Sequence, residues 1–475
     1  MSSADTGPTT AAPEMSPEEK KKMRKAIFGG TLGNTLEWFD YGIYGYLTTY
    51  VAYHFFEPFT SDRSTQILFT LLGFAVSFML RPIGGMVLGP LGDRLGRKKI
   101  LVITVAVISG ATTLIGLLPT AQTIGIWAPI LLFTLRIVQG FSAGGEYAGA
   151  AVFMAEHAPD KKRGFYGAFL DSGTFIGTCL AALVCTGLTL LVGHDAMMDF
   201  WWRVPFLLAL PVGLIALWMR RSLDEPEVFS EIAAEAKQES AVKALGTVIV
   251  SFPKQLLKLT GYVILVNVAF YLVLTYMPTY LSETLGQSST SAGMMLVVVQ
   301  AFMAVAIVFF GSLSDKIGRK PVIIGSALGF TLLSIPTVLL MGLDNPVLQF
   351  LGLAVLGLLL VALTSVLSAT LSALFPTQVR YSGLAFGYNV ATAIFGGTAG
   401  LVVQWLIAKT GIVIMPGIYM TVAGVIGLIA GLTLLETKGE SLRGTHVPGT
   451  QPVPVVTTRA EAKAGTKAGA EEGAL

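Results

Sequence analysis

Long apolar runs dominate this sequence and limit what it can fold into. Stretches of about 20 residues with few charges recur from Ala26 to Leu435, and a helix of about 20 residues crosses a hydrocarbon layer about 30 Å thick. Only 13% of the 475 residues are charged and 53% are hydrophobic, whereas a soluble protein carries about 25% charged residues. The sequence therefore predicts an all-α integral membrane protein, with the lipid bilayer as its surroundings.

Apolar length predicts twelve spans. They cover about 26–52, 65–90, 99–118, 125–148, 164–192, 201–219, 259–281, 291–313, 321–341, 346–373, 382–408 and 413–435. The longest polar stretch between spans separates six from six. We predict an N-terminal six-helix bundle at 26–219, a linker loop at 220–258 and a C-terminal six-helix bundle at 259–435, with disordered tails at 1–25 and 436–475.

Lys and Arg residues cluster in alternate loops. They precede the first span and follow the second, fourth, sixth, eighth, tenth and twelfth spans, whereas intervening loops such as HFFEPFTSDR are nearly free of them. The positive-inside rule then places both termini in the cytoplasm. The net charge of +3 is spread over short loops and forms no stripe, so nucleic acid is not an expected partner. Cys179 and Cys185 are six residues apart on one helix, which makes them packing residues and not a disulfide or metal pair.

A ten-residue pattern occurs twice at equivalent places. Residues 89–98, GPLGDRLGRK, match residues 311–320, GSLSDKIGRK, and each follows the second span of its half. Parallel repeats of this kind indicate two related halves. The glycines allow tight turns, and the charges can cap or pair with helix ends when one face closes; the alternative is that they only set topology. The candidate switch residues are Gly89, Asp93, Arg94, Gly96, Arg97, Asp315, Gly318 and Arg319.

These features resemble the major facilitator superfamily. Within it, the segments EWFDYGIYGY, RPIGG, RIVQGFSAGGEYAGA and WWRVPF resemble the metabolite:proton symporter family, and NVAFYLVLTYMPTYLS and FPTQVRYSGLAFGYN are most similar to its proline/glycine betaine transporter branch. The resemblance implies two pseudo-symmetric six-helix bundles, a location in the bacterial cytoplasmic membrane and function as a monomer. Some members of this branch carry a coiled-coil tail linked to osmotic control. Residues 436–475 lack a sustained apolar heptad, so control by that route is not expected.

Charged side chains inside a span are costly and mark either a transport pathway or a fixed buried ion pair. Helical spacing places Asn34, Glu37, Tyr41 and Tyr44 on one face of the first span, with Asp40 beside it. The carboxylates Glu37, Asp40, Glu146 and Asp171 are candidates for proton coupling, with Arg136 as their natural partner. Arg81 precedes a proline near the predicted inner end of its span, and we expect it to snorkel or to pair within the switch loop.

The C-terminal half offers aromatic and amide side chains in place of buried charge. Aromatic faces attract ammonium groups, so a zwitterion would direct its carboxylate to Arg136 and its cation to aromatic rings or Glu37. A di- or tricarboxylate would need several central cations, and only Arg136 and Arg81 are available. The candidate substrate-binding residues are Arg136, Trp38, Tyr41, Tyr44, Asn34, Gln139, Asn267, Tyr271, Tyr276 and Asn389.

Missing motifs narrow the energy source. The chain contains no Gly-Lys dipeptide, and so no phosphate-binding loop, and it contains no H-E-x-x-H or C-x-x-C pattern. We therefore predict a secondary transporter and not an enzyme, with protons as the coupling ion and neither metal nor cofactor. The predicted function is uptake of proline and glycine betaine by proton symport with alternating access. The alternatives are a symporter for oxoglutarate, citrate, shikimate or an aromatic acid, an exporter, and a membrane enzyme or receptor.

Overall fold

The computed structural model describes residues 17–95, 97–144, 146–222, 241–442 and 447. Within helices, the side chains of Glu146 and of residues 92–95, 97 and 98 are among those it does not describe. The described residues form twelve long helical elements, α1 to α12, at the positions of the twelve predicted spans. The physical basis of each is a long apolar sequence in which the backbone hydrogen-bonds to itself.

The first six spans form the N-terminal bundle. They are α1 (Pro17–Tyr46 and Thr48–Phe56), α2 (Arg63–Leu95), α3 (Arg97–Leu117), α4 (Trp127–Ser142 and Glu146–His157), α5 (Arg163–Val192) and α6 (Arg203–Ser222). Short helical segments lie in the loops between them, at Glu57–Phe59, Ala121–Ile124, Asp160–Lys162, His194–Ala196 and Met197–Trp201. The last of these is a π-helix that bends into α6.

A linker helix, Ala241–Ser251, leads into the C-terminal bundle. Its spans are α7 (Pro253–Phe270, continued by π-helix at Tyr271–Tyr276, Met277–Thr279 and π-helix at Tyr280–Thr284), α8 (Ser289–Ile317), α9 (Arg319–Met341), α10 (Pro346–Thr364 and Leu367–Ser372), α11 (Thr377–Ala391, π-helix at Thr392–Gly396 and Ala399–Thr410) and α12 (Met415–Thr433). The π-helical turns of α7 and α11 lie within long spans. π-helical turns inside α-helices are frequently found at functional sites.

The outer surface of the helices is apolar, as a lipid environment requires. Among the described residues, eight helices are long and apolar enough to cross a membrane, and the bent pair His194–Trp201 and Arg203–Trp218 would be a ninth. Leu191 is 84% exposed and Val305 76%, and exposed apolar surface of this extent is expected where lipid replaces water. The protein is a multi-pass membrane protein.

The two bundles share one packing pattern. In the N-terminal bundle α1 packs on α5, α2 on α4 and α3 on α6, and in the C-terminal bundle α7 packs on α11, α8 on α10 and α9 on α12. The bundles meet along α5 and α8 and along α2 and α11. This arrangement has the internal symmetry that the repeated ten-residue pattern predicts.

Glycines bring α2 and α4 into backbone contact. A Cβ atom on Gly140 would lie 1.8 Å from the carbonyl oxygen of Ser77, and one on Gly144 would lie 2.1 Å from that of Arg81. Any larger residue would therefore push the helices apart, which is the role of small residues spaced four apart in membrane helices. The close approach brings Arg81 and Arg136 into the same core.

The structure differs from the predicted domain organisation in three places. α1 begins at Pro17, within the predicted N-terminal tail, because helix-forming Glu and Lys residues continue the helix beyond its apolar part. The linker contains the helix Ala241–Ser251, and residues 436–442 are placed by hydrogen bonds described below, so a disordered tail does not start at residue 436. The remaining parts of the predicted tails, 1–16, 443–446 and 448–475, and the linker segment 223–240 lie outside the described residues.

Candidate functional site

Arg136 lies in the interior of the N-terminal bundle and is 1% exposed. Its Nη1 donates to Oε1 of Gln139 at 2.8 Å, and Nε2 of Gln139 donates to Oγ1 of Thr112 at 2.6 Å. The guanidinium carbon lies 3.9 Å from the ring centroid of Tyr44, a cation–π contact. Nε and Nη2 have no hydrogen-bond partner among the described residues. The guanidinium is therefore oriented by α4 and Tyr44 and keeps donors for an anion.

Arg81 forms a buried ion pair with Glu37. Its Nη2 lies 3.0 Å from Oε1 of Glu37, and the side chains are 5% and 11% exposed. The guanidinium carbon lies 4.6 Å from the ring centroid of Tyr41 and 4.4 Å from that of Phe78. The expectation that Arg81 snorkels or pairs in the switch loop is wrong. Since α2 continues to Leu95, Arg81 lies roughly 21 Å along the helix from its end.

Asp40 is the second carboxylate of this group and is 5% exposed. Its polar neighbours are Thr112, Glu37 and Arg136, and its Oδ1 has no hydrogen-bond partner among the described residues. The structure thus brings Glu37, Asp40 and Arg136 together as predicted. It pairs Glu37 with Arg81, however, and not with Arg136.

Asp171 lies on α5, apart from this group. Oδ1 accepts a hydrogen bond from the Tyr147 hydroxyl at 3.1 Å, while Oδ2 has no partner among the described residues. The Tyr147 ring, from the N-terminal bundle, stacks on Tyr388 of the C-terminal bundle with centroids 4.5 Å apart. Within the described part of the chain Asp171 forms no ion pair, so it is not a partner of Arg136.

Aromatic rings from both bundles meet beside the Glu37–Arg81 pair. The Trp38 ring lies 4.7 Å from Phe270, and Phe78 lies 5.0 Å from Tyr271. We call the whole group the aromatic cluster: Trp38, Tyr41, Phe74, Phe78, Phe270 and Tyr271. In this conformation the rings cover one another's faces, so they form a closed contact between the bundles and not an open cage.

Phe74 and Phe78 were not predicted as site residues, although the sequence carries their signal. They precede Arg81 by seven and three residues, and positions spaced four and three apart lie on one face of a helix. A search for aromatic residues at this spacing from each intramembrane arginine would have found them.

Two predicted binding residues hold neighbouring helices together. Nδ2 of Asn34 donates to the carbonyl oxygen of Leu170 at 2.8 Å and to Oγ1 of Thr174 at 2.6 Å, which joins α1 to α5. Nδ2 of Asn267 donates to Oγ1 of Thr392 at 3.0 Å, where the π-helical turn of α11 begins. Both amides are buried, and their nitrogens donate hydrogen bonds to other groups of the protein.

The other two predicted polar residues of the C-terminal bundle also have internal partners. The Tyr276 hydroxyl donates to Oε1 of Gln404 at 2.7 Å, away from the aromatic cluster. Nδ2 of Asn389 donates to the carbonyl oxygen of Ala385 in its own helix at 2.8 Å. Neither side chain contacts the group around Arg136 in this conformation.

The second copy of the repeated pattern, residues 311–320, is the second switch loop, and it joins the two bundles. It lies at the face of the protein that carries the end of α12, and we call this face the tail face. Oδ1 and Oδ2 of Asp315 accept hydrogen bonds from the backbone N–H groups of Gly164 and Phe165, both at 2.8 Å. A carboxylate at the first turn of α5 also interacts favourably with the positive end of the helix dipole. Arg319 lies 3.8 Å from Asp315, so the loop contributes a cap across the interface.

The residues after α12 contact the same loop. Gly318 has a φ of 102°, a backbone conformation that favours glycine, and the following N–H of Arg319 donates to Oε1 of Glu436 at 3.1 Å. Nη1 of Arg163 donates to the carbonyl oxygen of Glu440 at 2.9 Å. Residues 436–442 therefore contact both bundles. The predicted residues Gly89, Asp93, Arg94, Gly96 and Arg97 of the first loop, and Glu146, have no described side-chain geometry.

Both faces are held closed by contacts between the bundles. At the tail face, Nη1 of Arg380 on α11 lies 2.5 Å from Oε1 of Glu156 on α4. At the opposite face, Nη2 of Arg63 lies 2.6 Å from Oε1 of Glu283, and Gln404 donates to Ser64 at 3.3 Å. The described residues thus form an occluded conformation in which the group around Arg136 is sealed from both sides.

The sequence and the fold match a known family. A family model described as Major Facilitator Superfamily matches residues 30–397 and 263–464. The chain belongs to the major facilitator superfamily. Solved structures agree: the proton:xylose symporter bound to 6-bromo-6-deoxy-D-glucose superposes with a TM-score of 0.71 at 19% identity, covering 89% of this chain and 98% of that one. The predicted major facilitator fold is confirmed.

Sequence relatives narrow the branch of the superfamily. The glycine betaine/proline/ectoine/pipecolic acid transporter of Dickeya dadantii is 41% identical over 430 residues, which are 89% of this chain and 85% of that protein. The proline/betaine transporter of Escherichia coli strain K12 is 40% identical with the same coverage. The ectoine/proline transporter of Corynebacterium glutamicum is 40% identical over 93% of this chain and 88% of its own length. The predicted resemblance to this branch is confirmed, and the chain is placed among transporters and not among enzymes.

Proposed function

We propose that this protein takes up small zwitterionic osmolytes, such as proline and glycine betaine, by proton symport across the bacterial cytoplasmic membrane. The observation that carries the proposal is the buried group in which Arg136 has unpaired donors beside Asp40 and the Glu37–Arg81 pair. The names of the relatives that are about 40% identical support the substrate class. The tail face is cytoplasmic, the monomer is the working unit, and protons are the coupling ion with no cofactor.

The substrate carboxylate binds Arg136. Nε and Nη2 of Arg136 are the donors left unpaired, and a guanidinium binds a carboxylate through two parallel hydrogen bonds. Gln139 and Tyr44 hold the side chain in place, so little ordering is needed on binding. The aromatic cluster separates to admit the rest of the substrate between the bundles.

Asp40 carries the coupled proton, and Glu37 balances Arg81. A charged Asp40 competes with the substrate for Arg136, whereas a protonated Asp40 leaves the guanidinium free for the substrate carboxylate. Binding of the proton therefore favours binding of the substrate, and by linkage the substrate favours the proton. Glu37 already has a cation at 3.0 Å, so its charge is satisfied throughout this exchange.

Access alternates by breaking one set of closing contacts at a time. Opening to the tail face separates Asp315 from the start of α5 and Arg380 from Glu156. Opening to the other face separates Arg63 from Glu283. Rocking of two rigid bundles about a fixed site produces both movements.

Transport of a di- or tricarboxylate is less well supported. Such a substrate needs several uncompensated cations in the cavity. Arg81 is neutralised by Glu37 and has one unpaired donor, Nε, whereas Arg136 has two, Nε and Nη2, and forms no ion pair among the described residues. A single carboxylate matches this charge balance.

Uptake by purified protein in proteoliposomes tests the proposal. With an acidic exterior, radiolabelled proline and betaine are expected to accumulate above the outside concentration, and a protonophore should abolish the accumulation. Asp40→Asn should abolish accumulation and keep exchange of labelled for unlabelled substrate at equal pH. Accumulation without a pH gradient, or competition by citrate or oxoglutarate but not by betaine, would contradict the proposed function.

A further inference from the structure

We propose that Asp171, together with Tyr147 and Tyr388, is the subsite that binds the ammonium group of the substrate. The inference rests on the proposed function and assigns the cationic end of the zwitterion to a place in the fold. Asp171 thereby determines specificity for ammonium-bearing substrates and does not carry the coupled proton.

The geometry of Asp171 is that of a carboxylate with room for one more partner. It is 5% exposed, Tyr147 occupies Oδ1, and Oδ2 has no partner among the described residues. A buried carboxylate with one unsatisfied oxygen and no cation is costly in a protein interior. A ligand ammonium group would supply the missing charge.

Tyrosine rings surround this carboxylate. Tyr147 and Tyr388 stack with an interplanar angle of 20°, and Tyr262 lies within electrostatic reach of Asp171. The Tyr262 hydroxyl donates to the carbonyl oxygen of Leu363 at 2.8 Å, which fixes its ring. Ring faces beside a carboxylate are the combination that binds quaternary and secondary ammonium groups.

The subsite spans the moving interface. Tyr147 belongs to the N-terminal bundle and Tyr388 to the C-terminal bundle, so the ring pair separates and re-forms as access alternates. Tyr388 is also within electrostatic reach of Arg81 and Glu37 as well as Asp171. Tyr388 thus links the Asp171 carboxylate to the Glu37–Arg81 pair, and the proposal requires that one small zwitterion reach both Asp171 and Arg136 when the bundles separate.

The other acidic and aromatic groups near the bundle interface already have charged or aromatic neighbours. Glu37 is paired with Arg81 at 3.0 Å, and Trp38 packs edge-on against Phe270 at 4.7 Å. Asp40 has Arg136 as an electrostatic neighbour. Asp171 differs from these acidic groups because it has no cation among its neighbours within the described residues.

Competition by an isostere that lacks the cationic charge tests the assignment. In 3,3-dimethylbutanoate a carbon atom replaces the quaternary nitrogen of betaine, so the two differ in cationic charge at nearly constant shape. Exchange of radiolabelled betaine is measured in proteoliposomes at equal internal and external pH, with either compound as competitor. Wild-type protein should prefer betaine to the isostere by about tenfold or more.

Asp171→Asn should abolish this preference by weakening betaine inhibition about tenfold or more while the isostere inhibits as well as before. Retained inhibition by the isostere shows that the variant is folded. Asp171→Glu, which keeps the charge, should restore most of the preference. The matched control is Asp40→Asn, a second buried carboxylate of the same bundle, which should keep the preference and lose proton-driven accumulation.

An unchanged preference in Asp171→Asn would overturn the inference. A preserved preference combined with lost accumulation would overturn it as well, because Asp171 would then be a proton site. Absence of betaine exchange by the wild-type protein would overturn the proposed function itself, and with it the inference. The two failures are distinguished by whether the wild-type protein exchanges betaine.

Discussion

The two bundles have the same pattern of helix packing but differ in the charge of the side chains that they bury. The N-terminal bundle buries Asp40, Arg81, Arg136 and Asp171 within its spans. In the described C-terminal bundle the buried charged residues are Arg319 and Arg380, both at the tail face. Within its spans, Asn267 pairs with Thr392 and Tyr276 pairs with Gln404. In the proposed mechanism, one bundle therefore carries the charges that bind substrate and proton, and the other closes over them.

This division has an energetic reason. A charge at the centre of a membrane helix costs about 3 kcal/mol on insertion, so charges are kept where they function. A paired amide or hydroxyl costs far less and still fixes how helices pack. Substitutions of buried charge in the N-terminal bundle should therefore change transport, whereas substitutions of paired polar groups in the C-terminal bundle should change stability slightly.

The largest effect is expected at Arg136. Arg136→Gln removes the donors left for the substrate carboxylate and leaves Asp40 without its cationic neighbour. The initial rate of betaine uptake in proteoliposomes should fall about a hundredfold or more, since losing one partner of a buried charged contact costs about 2–5 kcal/mol. Arg136→Lys should recover only part of this loss because it keeps the charge without the planar fork.

Gln404→Leu is the matched change in the other bundle. It removes a buried polar side chain that contacts Tyr276 and Ser64 but carries no charge. Uptake should decrease several-fold at most. Equal losses in Arg136→Gln and Gln404→Leu would show that the two bundles do not differ in the way described above.

An intermediate effect is expected for the Glu37–Arg81 pair. Glu37→Gln or Arg81→Gln alone leaves a buried charge without its partner, and each should lower the free energy of unfolding by about 3–5 kcal/mol. The double variant removes both charges and should recover most of that stability. SDS-induced unfolding in mixed micelles gives these values, and uptake is measured in parallel.

The double variant separates structure from coupling. If Glu37 balances Arg81, the double variant should still accumulate betaine with an acidic exterior. Loss of accumulation in a double variant of near wild-type stability would show that Glu37, and not Asp40, carries the coupled proton. With that outcome the N-terminal bundle would still carry the buried charges, and only the carboxylate assigned to proton coupling would change.

The sequence predicted the fold more completely than the site. Apolar length and the repeated ten-residue pattern are properties of single segments, and they predicted twelve spans in two bundles. The pairing of Glu37 was missed because helical spacing shows which face a residue lies on but not which helix packs there. The depth of Arg81 was misjudged because apolarity ends near residue 90, whereas the helix continues to Leu95.

Helical spacing also could not show that the amide predicted to bind substrate in the first span has partners within the protein. Spacing placed Asn34 on the face of Glu37, yet its donors are used by Leu170 and Thr174 on α5. The backbone contact that permits this comes from Gly173, where a Cβ atom would lie 2.3 Å from the carbonyl oxygen of Thr31. A partner of this kind depends on how two distant segments pack, which no single segment encodes.

The smallest effects are expected at Asn267 and Asn389, both predicted to bind substrate. Asn389→Ala removes a hydrogen bond within α11 and should change the free energy of unfolding by less than about 0.5 kcal/mol. Asn267→Ala leaves Oγ1 of Thr392 without its donor and should cost about 0.6 kcal/mol, a typical value for hydrogen bonds between membrane helices.

Uptake kinetics decide whether these amides belong to the site. The KM for betaine should change less than about twofold in Asn389→Ala, because its amide is turned to its own helix. A KM increase of tenfold with unchanged stability would show that Asn389 turns toward the substrate when the bundles separate. The C-terminal bundle would then contribute a polar contact in addition to its aromatic surface, and the contrast between the bundles would hold for charge alone.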